Sequence, residues 1–510
     1  ARTGPGGPDA LEITGGRITF VGSAADARER FPGAAVLHLD GAVVTPAFVD
    51  AHVHATAAGL LVDGLDLTHC PSGQALLDAV AARVAARPGA LVWGHGWQDQ
   101  RWPDGVPSRA ALDRAAAGAP VYLSRIDVHS ALASSALLER APGAVGARGW
   151  SDGAVAADAH HHARRAALAA VDSTTRTAAQ RAFLADAAGR GIGVVHECAG
   201  PDISSRDDLA DLLRRADGPS RLPEVVGYWG EAVTTAAEAR DLLAATGAHG
   251  LAGDLFVDGS IGSRTAALRS PYSDAPGCTG NRYLDADGVG AHIAACTVAG
   301  VQAGFHVIGD AATDALVAGL DAAGRCAGVS RAALRTRAHR VEHLEMVDLQ
   351  QVRALAEHGV VASVQPLFDA FWGGPDGMYA ERLGPGRALA MNPFAALQAA
   401  DVVLALGSDA PVTPVDPWAA VRAAVQHRSP GSGLRPVDAL AAHTVGGYRA
   451  AGDRSPHAGR LVPGAPASYA VWDGAGALDG NPRDPRCLRT VHHGAVLHED
   501  AGLPVAQPVA

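Results

Sequence analysis

The chain has 510 residues, is 48% hydrophobic and 19% charged, and carries a formal net charge of −11; this composition supplies a large buried core and excludes a disordered chain. All 42 basic residues are arginine, which excludes a Schiff-base lysine, a Walker-A phosphate lysine and a carboxylated lysine bridging two metals. An acidic balance without a basic stripe argues against nucleic acid as a partner, and no apolar run has the length of a membrane span.

The first elements are short strands at residues 11–14 and 17–21, parted by Gly15-Gly16 in the manner of a hairpin. Strand-like runs return at 468–472 and 490–497. Two β-rich ends around a long middle predict a composite β-sandwich domain built from 1–45 and 455–510. The opening stretch lacks a secretory pattern. Six scattered cysteines without a CxxC pair suggest reduced thiols and a cytoplasmic protein.

Between the ends, apolar runs alternate with Ala-rich helical stretches, as in a βα architecture. Strands are predicted at 47–50, 121–126, 193–196, 255–258, 302–307, 340–343, 360–365 and 402–407, with helices at 75–86, 178–188, 232–245 and 349–357. Runs at 91–93 and 225–229 leave the count uncertain by one or two. The fold class is therefore α/β, a (β/α)8 TIM-like barrel over 46–454 with an insertion within about 60–185.

Barrel active sites lie at the C-terminal strand ends. The first run closes on Asp50-Ala51-His52-Val53-His54, where His at i and i+2 of a strand point to one side and can share a metal. That pair alone is weak among 22 histidines, and His160-His161-His162 reads as a solvated run. Later runs end on His306, on Glu342-His343 and on Ser408-Asp409. Three histidine-terminated strands and a terminal aspartate, in barrel order, are hard to attribute to packing.

Together with Gly94-His95-Gly96-Trp97, Asp127-Val128-His129-Ser130, Asp258-Gly259-Ser260-Ile261-Gly262-Ser263-Arg264, His306-Val307-Ile308-Gly309-Asp310 and Arg340-Val341-Glu342-His343, these residues resemble the amidohydrolase superfamily of metal-dependent hydrolases. The resemblance is to the branch of YtcJ-like proteins and N-substituted formamide deformylases. It implies a metal held by His52, His54, His306, His343 and Asp409. Many members of that branch bridge two metals with a carboxylated lysine four residues before the DGS aspartate. Here that position is Asp254.

Three readings stay open: one Zn2+, the preferred one; two metals bridged by a carboxylate, either Asp254 or Glu197; or a non-catalytic relative. The expected reaction is hydrolysis of a non-peptide C–N bond, amide or formamide, by a metal-activated water, with deamination of a heterocycle as the alternative. Asp409 is expected to transfer the proton and His343 to steady the oxyanion. A small, apolar or aryl-bearing substrate is expected against Trp97, Tyr122 and Trp372, with Arg264 available for a carboxylate or carbonyl. His95, Asp99 and His129 are further candidates for the cavity, and residues 368–374 read as a mobile loop with glycine hinges. A homodimer is expected by analogy alone.

Overall fold

The computed structural model describes residues 7–39, 41–100, 102–216, 221–474, 483–503 and 507–508. Strands β1 (Ala10–Thr14) and β2 (Arg17–Gly22) pair antiparallel, turning at Gly15 and Gly16 with φ of 59° and 75°. Both values lie in the left-handed region that a two-residue primed turn requires. After β3 (Ala35–Val36) and β4 (Val43–Pro46), the chain enters β5 (Phe48–Val53), every residue of which is buried. Burial on both faces is the signature of a parallel sheet covered by helices.

An excursion then builds a separate five-stranded sheet from β6 (Leu65–Asp66), β7 (Val92–Trp97), β8 (Val121–Arg125), β9 (Ser130–Ala133) and β10 (Val155–Ala156). The barrel resumes at β11 (Ile192–Ala199) and β12 (Glu224–Trp229), which pair in parallel with each other, β11 also pairing with β5. A second parallel ladder joins β13 (Gly304–Val307), β14 (Arg340–His343), β15 (Val361–Val364) and β16 (Val403–Leu406).

The two ladders close into a ring through isolated bridges. Val53 meets Ala410 on one side. On the other, the segment from Gly250 to Phe256 bridges Tyr228, Ala303 and His306. Seven strands and this segment are the eight staves of the barrel.

Stave membership differs from the expectation in two places. Residues 121–126 belong to the insertion sheet as β8, and the doubtful run at 225–229 is the stave β12. A buried apolar run has the same pattern in a barrel as in a flanking sheet, so periodicity alone does not separate them. The predicted strand at 255–258 touches its neighbours only by single bridges.

Helices between the staves start on well-formed caps. Thr235 and Glu238 form a capping box at Ala236–Thr246, and Asp348 and Gln351 another at Leu349–His358. The chain ends in β17 (Tyr469–Trp472), β18 (Cys487–His492), β19 (Ala495–Glu499) and the short β20 (Gln507–Pro508). Strand β17 pairs with β4, so the two chain ends share one four-stranded sheet. Trp472 of that sheet packs edge-on against Phe48 and Trp418 of the barrel, at 5.6 and 5.5 Å between ring centroids. Among the described residues no helix is long and apolar enough to cross a membrane.

Candidate metal centre

Six side chains meet where the staves end. His52 is the last residue but one of β5 and His54 follows the strand, His306 and His343 come from β13 and β14, Asp409 follows β16, and Asp254 comes from the bridging segment. None is more than 6% exposed. Asp254 is therefore no surface carboxylate. Its Oδ1 lies 3.5 Å from His52 Nε2, 3.5 Å from His306 Nδ1 and 3.7 Å from His343 Nε2, and its Oδ2 lies 3.2 Å from His54 Nε2. Asp409 Oδ1 is 3.1 Å from His54 Nε2 and 3.5 Å from His52 Nε2.

The donor chemistry fits a divalent metal. His52 Nε2, His306 Nδ1, His343 Nε2, Asp254 Oδ1 and Asp409 Oδ1 are buried without a hydrogen-bond partner among the described residues, and buried polar atoms are rarely left so. Bonds near 2 Å to a tetrahedral ion put neighbouring donor atoms about 3.3 Å apart, close to the separations above. Three groups drawn from these six residues have donor atoms within 4.8 Å of one another: His52, His54 and Asp254; Asp254, His306 and His343; and His52, His343 and Asp409. Glu197 is not in these groups. Its Oε2 accepts the Ala55 amide at 2.7 Å, and burial pushes its carboxyl up to about 7.

The site's electrostatics favour positive charge. Burial pulls the His54 imidazole down, but the carboxylates of Asp254 and Asp409 outweigh it and lift it to about 9. Burial pushes the Asp254 carboxyl up, yet His52 and its neighbouring imidazoles hold it well below the usual carboxylate range.

A further layer aims these side chains. His52 Nδ1 lies 2.9 Å from Glu342 Oε2; a carboxylate only accepts, so Nδ1 donates and Nε2 is free for the centre. Glu342 is gripped by Arg340 through Nε at 2.6 Å and Nη2 at 2.9 Å. Arg340 also donates to Ala51 O and lies over the Tyr228 ring. His343 Nδ1 is 2.8 Å from Gln365 Oε1. Asp50 Oδ1 accepts the Ser408 amide at 2.8 Å, and Asp409 N donates to His52 O, tying the first and last staves together. His343 and Asp409 adopt φ of 71° and 55°, a strained conformation of the kind that gathers at functional sites.

Beside these six side chains is a narrow cavity. His306, His343 and Asp409 line one wall; Phe368, Trp372 and Tyr379 help line another. Of the aromatic residues predicted to meet substrate, only Trp372 is there. Trp97 is 1% exposed and donates to Leu123 O, while the Tyr122 hydroxyl bonds His160, both inside the insertion. Arg264 is spent on Asp274, at 3.1 and 2.6 Å. His129 lines the cavity. His95 instead bonds Ser124 and Pro411 O, and Asp99 pairs with Arg125.

Two local readings are corrected. His160 and His161 are buried, at 2% and 7% exposure, packed against Tyr122, Phe256 and Tyr283. Residues 366–372 form a helix, Pro366–Trp372, rather than a loop. Sequence reasoning gave no role to Glu342, Asp127 or Glu345. Glu342 had a signal in hindsight: Arg340 and Glu342 stand two apart on a strand and share a face.

The amidohydrolase family profile matches residues 35–498. The chain belongs to the amidohydrolase family. Within it, the chain is 26% identical to putative amidohydrolase YtcJ of Bacillus subtilis, over 82% of this chain and 80% of that protein. It is 24% identical to the N-substituted formamide deformylase of Arthrobacter pascens, over 97% and 95%. A metal-dependent hydrolase of uncharacterised function from Pyrococcus horikoshii OT3 superposes with a TM-score of 0.70 at 24% identity, covering 91% of this chain and 93% of that one. That likeness shows the amidohydrolase fold, barrel and β region together.

Proposed function

We propose that this amidohydrolase is a metal-dependent hydrolase of non-peptide C–N bonds, acting on an amide or formamide of a small, largely apolar molecule. The observation that carries the reading is the convergence of six buried donor residues, with six of their polar atoms lacking a hydrogen-bond partner among the described residues. The formamide deformylase among its relatives supports the bond type. We read His52, His54, His306, His343, Asp254 and Asp409 as the ligands, with Zn2+ the metal that best suits mixed imidazole and carboxylate donors. From sequence a single ion is preferred; the place of Asp254 in two of the donor groups favours a pair that shares its carboxylate.

A bound divalent ion would supply Lewis-acid activation of water and of the scissile carbonyl. The remaining work falls to the chain. Asp409 accepts the proton of the attacking water and passes it to the leaving nitrogen. With Nδ1 committed to Gln365, His343 turns a lone pair at Nε2 towards the centre, which suits a ligand better than the oxyanion donor expected from sequence. Phe368 and Trp372 exclude water from the cavity.

Metal analysis of protein purified without added metal, with hydrolysis assays on amides and formamides, tests this reading. Two equivalents support the pair and one supports the single ion; no metal together with no turnover overturns the proposal. Asp409→Asn should lower kcat by about 10²–10⁴-fold. Near-wild-type kcat with metal retained would remove the proton-transfer role.

A further inference from the structure

The insertion adds a wall to this cavity whose chemistry is independent of the ligands. Asp127, in the turn between β8 and β9, lines the cavity and is 7% exposed. Its Oδ2 accepts the Ser260 hydroxyl at 2.7 Å and lies 3.1 Å from Arg125 Nη1. Its Oδ1 is buried with no hydrogen-bond partner among the described residues. Buried acceptors are rarely left without a donor, and Asp127 is the carboxylate that the insertion contributes to the cavity lining.

The turn is held in place at a cost. Val128, between Asp127 and His129, has φ of 48°, which a β-branched residue adopts only under constraint. Gly262 packs so closely on the ion pair that a Cβ there would lie 2.6 Å from both Arg125 Nη1 and Asp127 Oδ2. The cavity is also lined by a second buried carboxyl, Glu345, whose Oε2 accepts the Tyr379 hydroxyl. No arginine lines the cavity among the described residues. Arg125 faces Asp99 and Asp127, while Arg264 and Arg382 share Asp274. A carboxylate placed beside Asp127 and Glu345 would therefore meet two carboxyls, with no arginine among the described lining residues to pair with it.

We propose that Asp127 is the acceptor of a specificity subsite that selects amides bearing a further N–H donor group, amino or ammonium, and rejects those bearing a carboxylate. This names the substrate class of the hydrolase proposed above and rests on that reading.

The test uses the full-length, metal-replete protein and three matched substrates: N-benzylformamides carrying a 3-aminomethyl, a 3-methyl or a 3-carboxyl group. The expected order of kcat/KM is aminomethyl, then methyl, then carboxyl, with the ends apart by about tenfold to a hundredfold, the worth of one charge-assisted hydrogen bond. Equal rates, or a preference for the carboxyl compound, overturn the proposal. The corresponding benzylamines, titrated calorimetrically, separate the subsite from the reaction. If none of the formamides is hydrolysed yet the aminomethyl amine still binds more tightly than the carboxyl amine, the subsite stands and the assigned reaction fails. Asp127→Asn should erase most of the aminomethyl preference, mainly through a higher KM for that substrate. An intact preference in a folded Asp127→Asn variant also overturns the proposal, and if the variant does not fold the wild-type series still decides.

Discussion

Glu342 couples His52, a proposed ligand, to the barrel core. It is fully buried, bonded to His52 on one side and to Arg340 on the other. The pair satisfies both charges, and removing one partner strands the other in a low-dielectric interior. Glu342→Gln keeps the shape but leaves Arg340 unpaired, so we expect a loss of about 3–5 kcal/mol in urea unfolding. The same variant should bind metal about 10–100-fold more weakly in a competition titration, because His52 loses its orienting carboxylate. Residues of this kind mark the limit of the sequence reading. His52, His54, His306, His343 and Asp409 were legible because strand-end chemistry repeats in barrel order. Glu342 and Asp127 were not, since their roles depend on partners 290 and 133 positions away. Trp97 and Tyr122 were assigned to substrate because they sit in motifs, yet a motif does not show which way an indole or phenol points.

Elements meet through ties that sequence does not announce. Asp274, after the DGS turn, receives Arg264 from that turn and Arg382 from the helix Met378–Leu383, which also supplies Tyr379 to the cavity. Burial pushes the Asp274 carboxyl up, but the two guanidinium groups outweigh it and hold it below its usual value. The tie therefore stabilises the fold above the unfolded carboxyl value of about 3.9 and is lost as pH falls through the lower folded value. Asp274→Asn should be less stable than wild type in urea at neutral pH, with the gap narrowing as the buffer is taken below about pH 4. A gap that stays constant across that range would show that the charge is not the source. Element types were largely readable: the βα alternation and the capped helices follow from periodicity and cap residues. Membership was less so, as β8 and β12 show. The helix Pro366–Trp372 was hidden by Gly373 and Gly374 beyond its end, although Pro366 at its first turn was a start signal.

At the scale of the molecule, the sheet shared by the chain ends is fastened to the barrel by Phe48, Trp418 and Trp472, with the Trp472 indole donating to Thr45 Oγ1 at 2.9 Å. Phe48 opens the stave that holds His52 and leads into His54, so disturbance at this junction reaches two of the proposed ligands. Trp472→Ala should cost about 3–5 kcal/mol, read as a lower thermal midpoint of the whole transition. Loss of the β region alone, with the barrel transition unmoved, would refute the coupling. The split β region was legible because both ends carried alternating strands; the aromatic junction was not, because its members are about 370 and 420 positions apart.

Asp254 also has a consequence for how the enzyme matures. A carboxylated lysine is not encoded; it must be made by capturing dissolved CO2, and it reverts when that supply falls. If Asp254 bridges two ions, the oxygens of that bridge come directly from translation. Assembly of such a centre would be blind to bicarbonate, because an aspartate stands where relatives with a carboxylated lysine must first capture a gas.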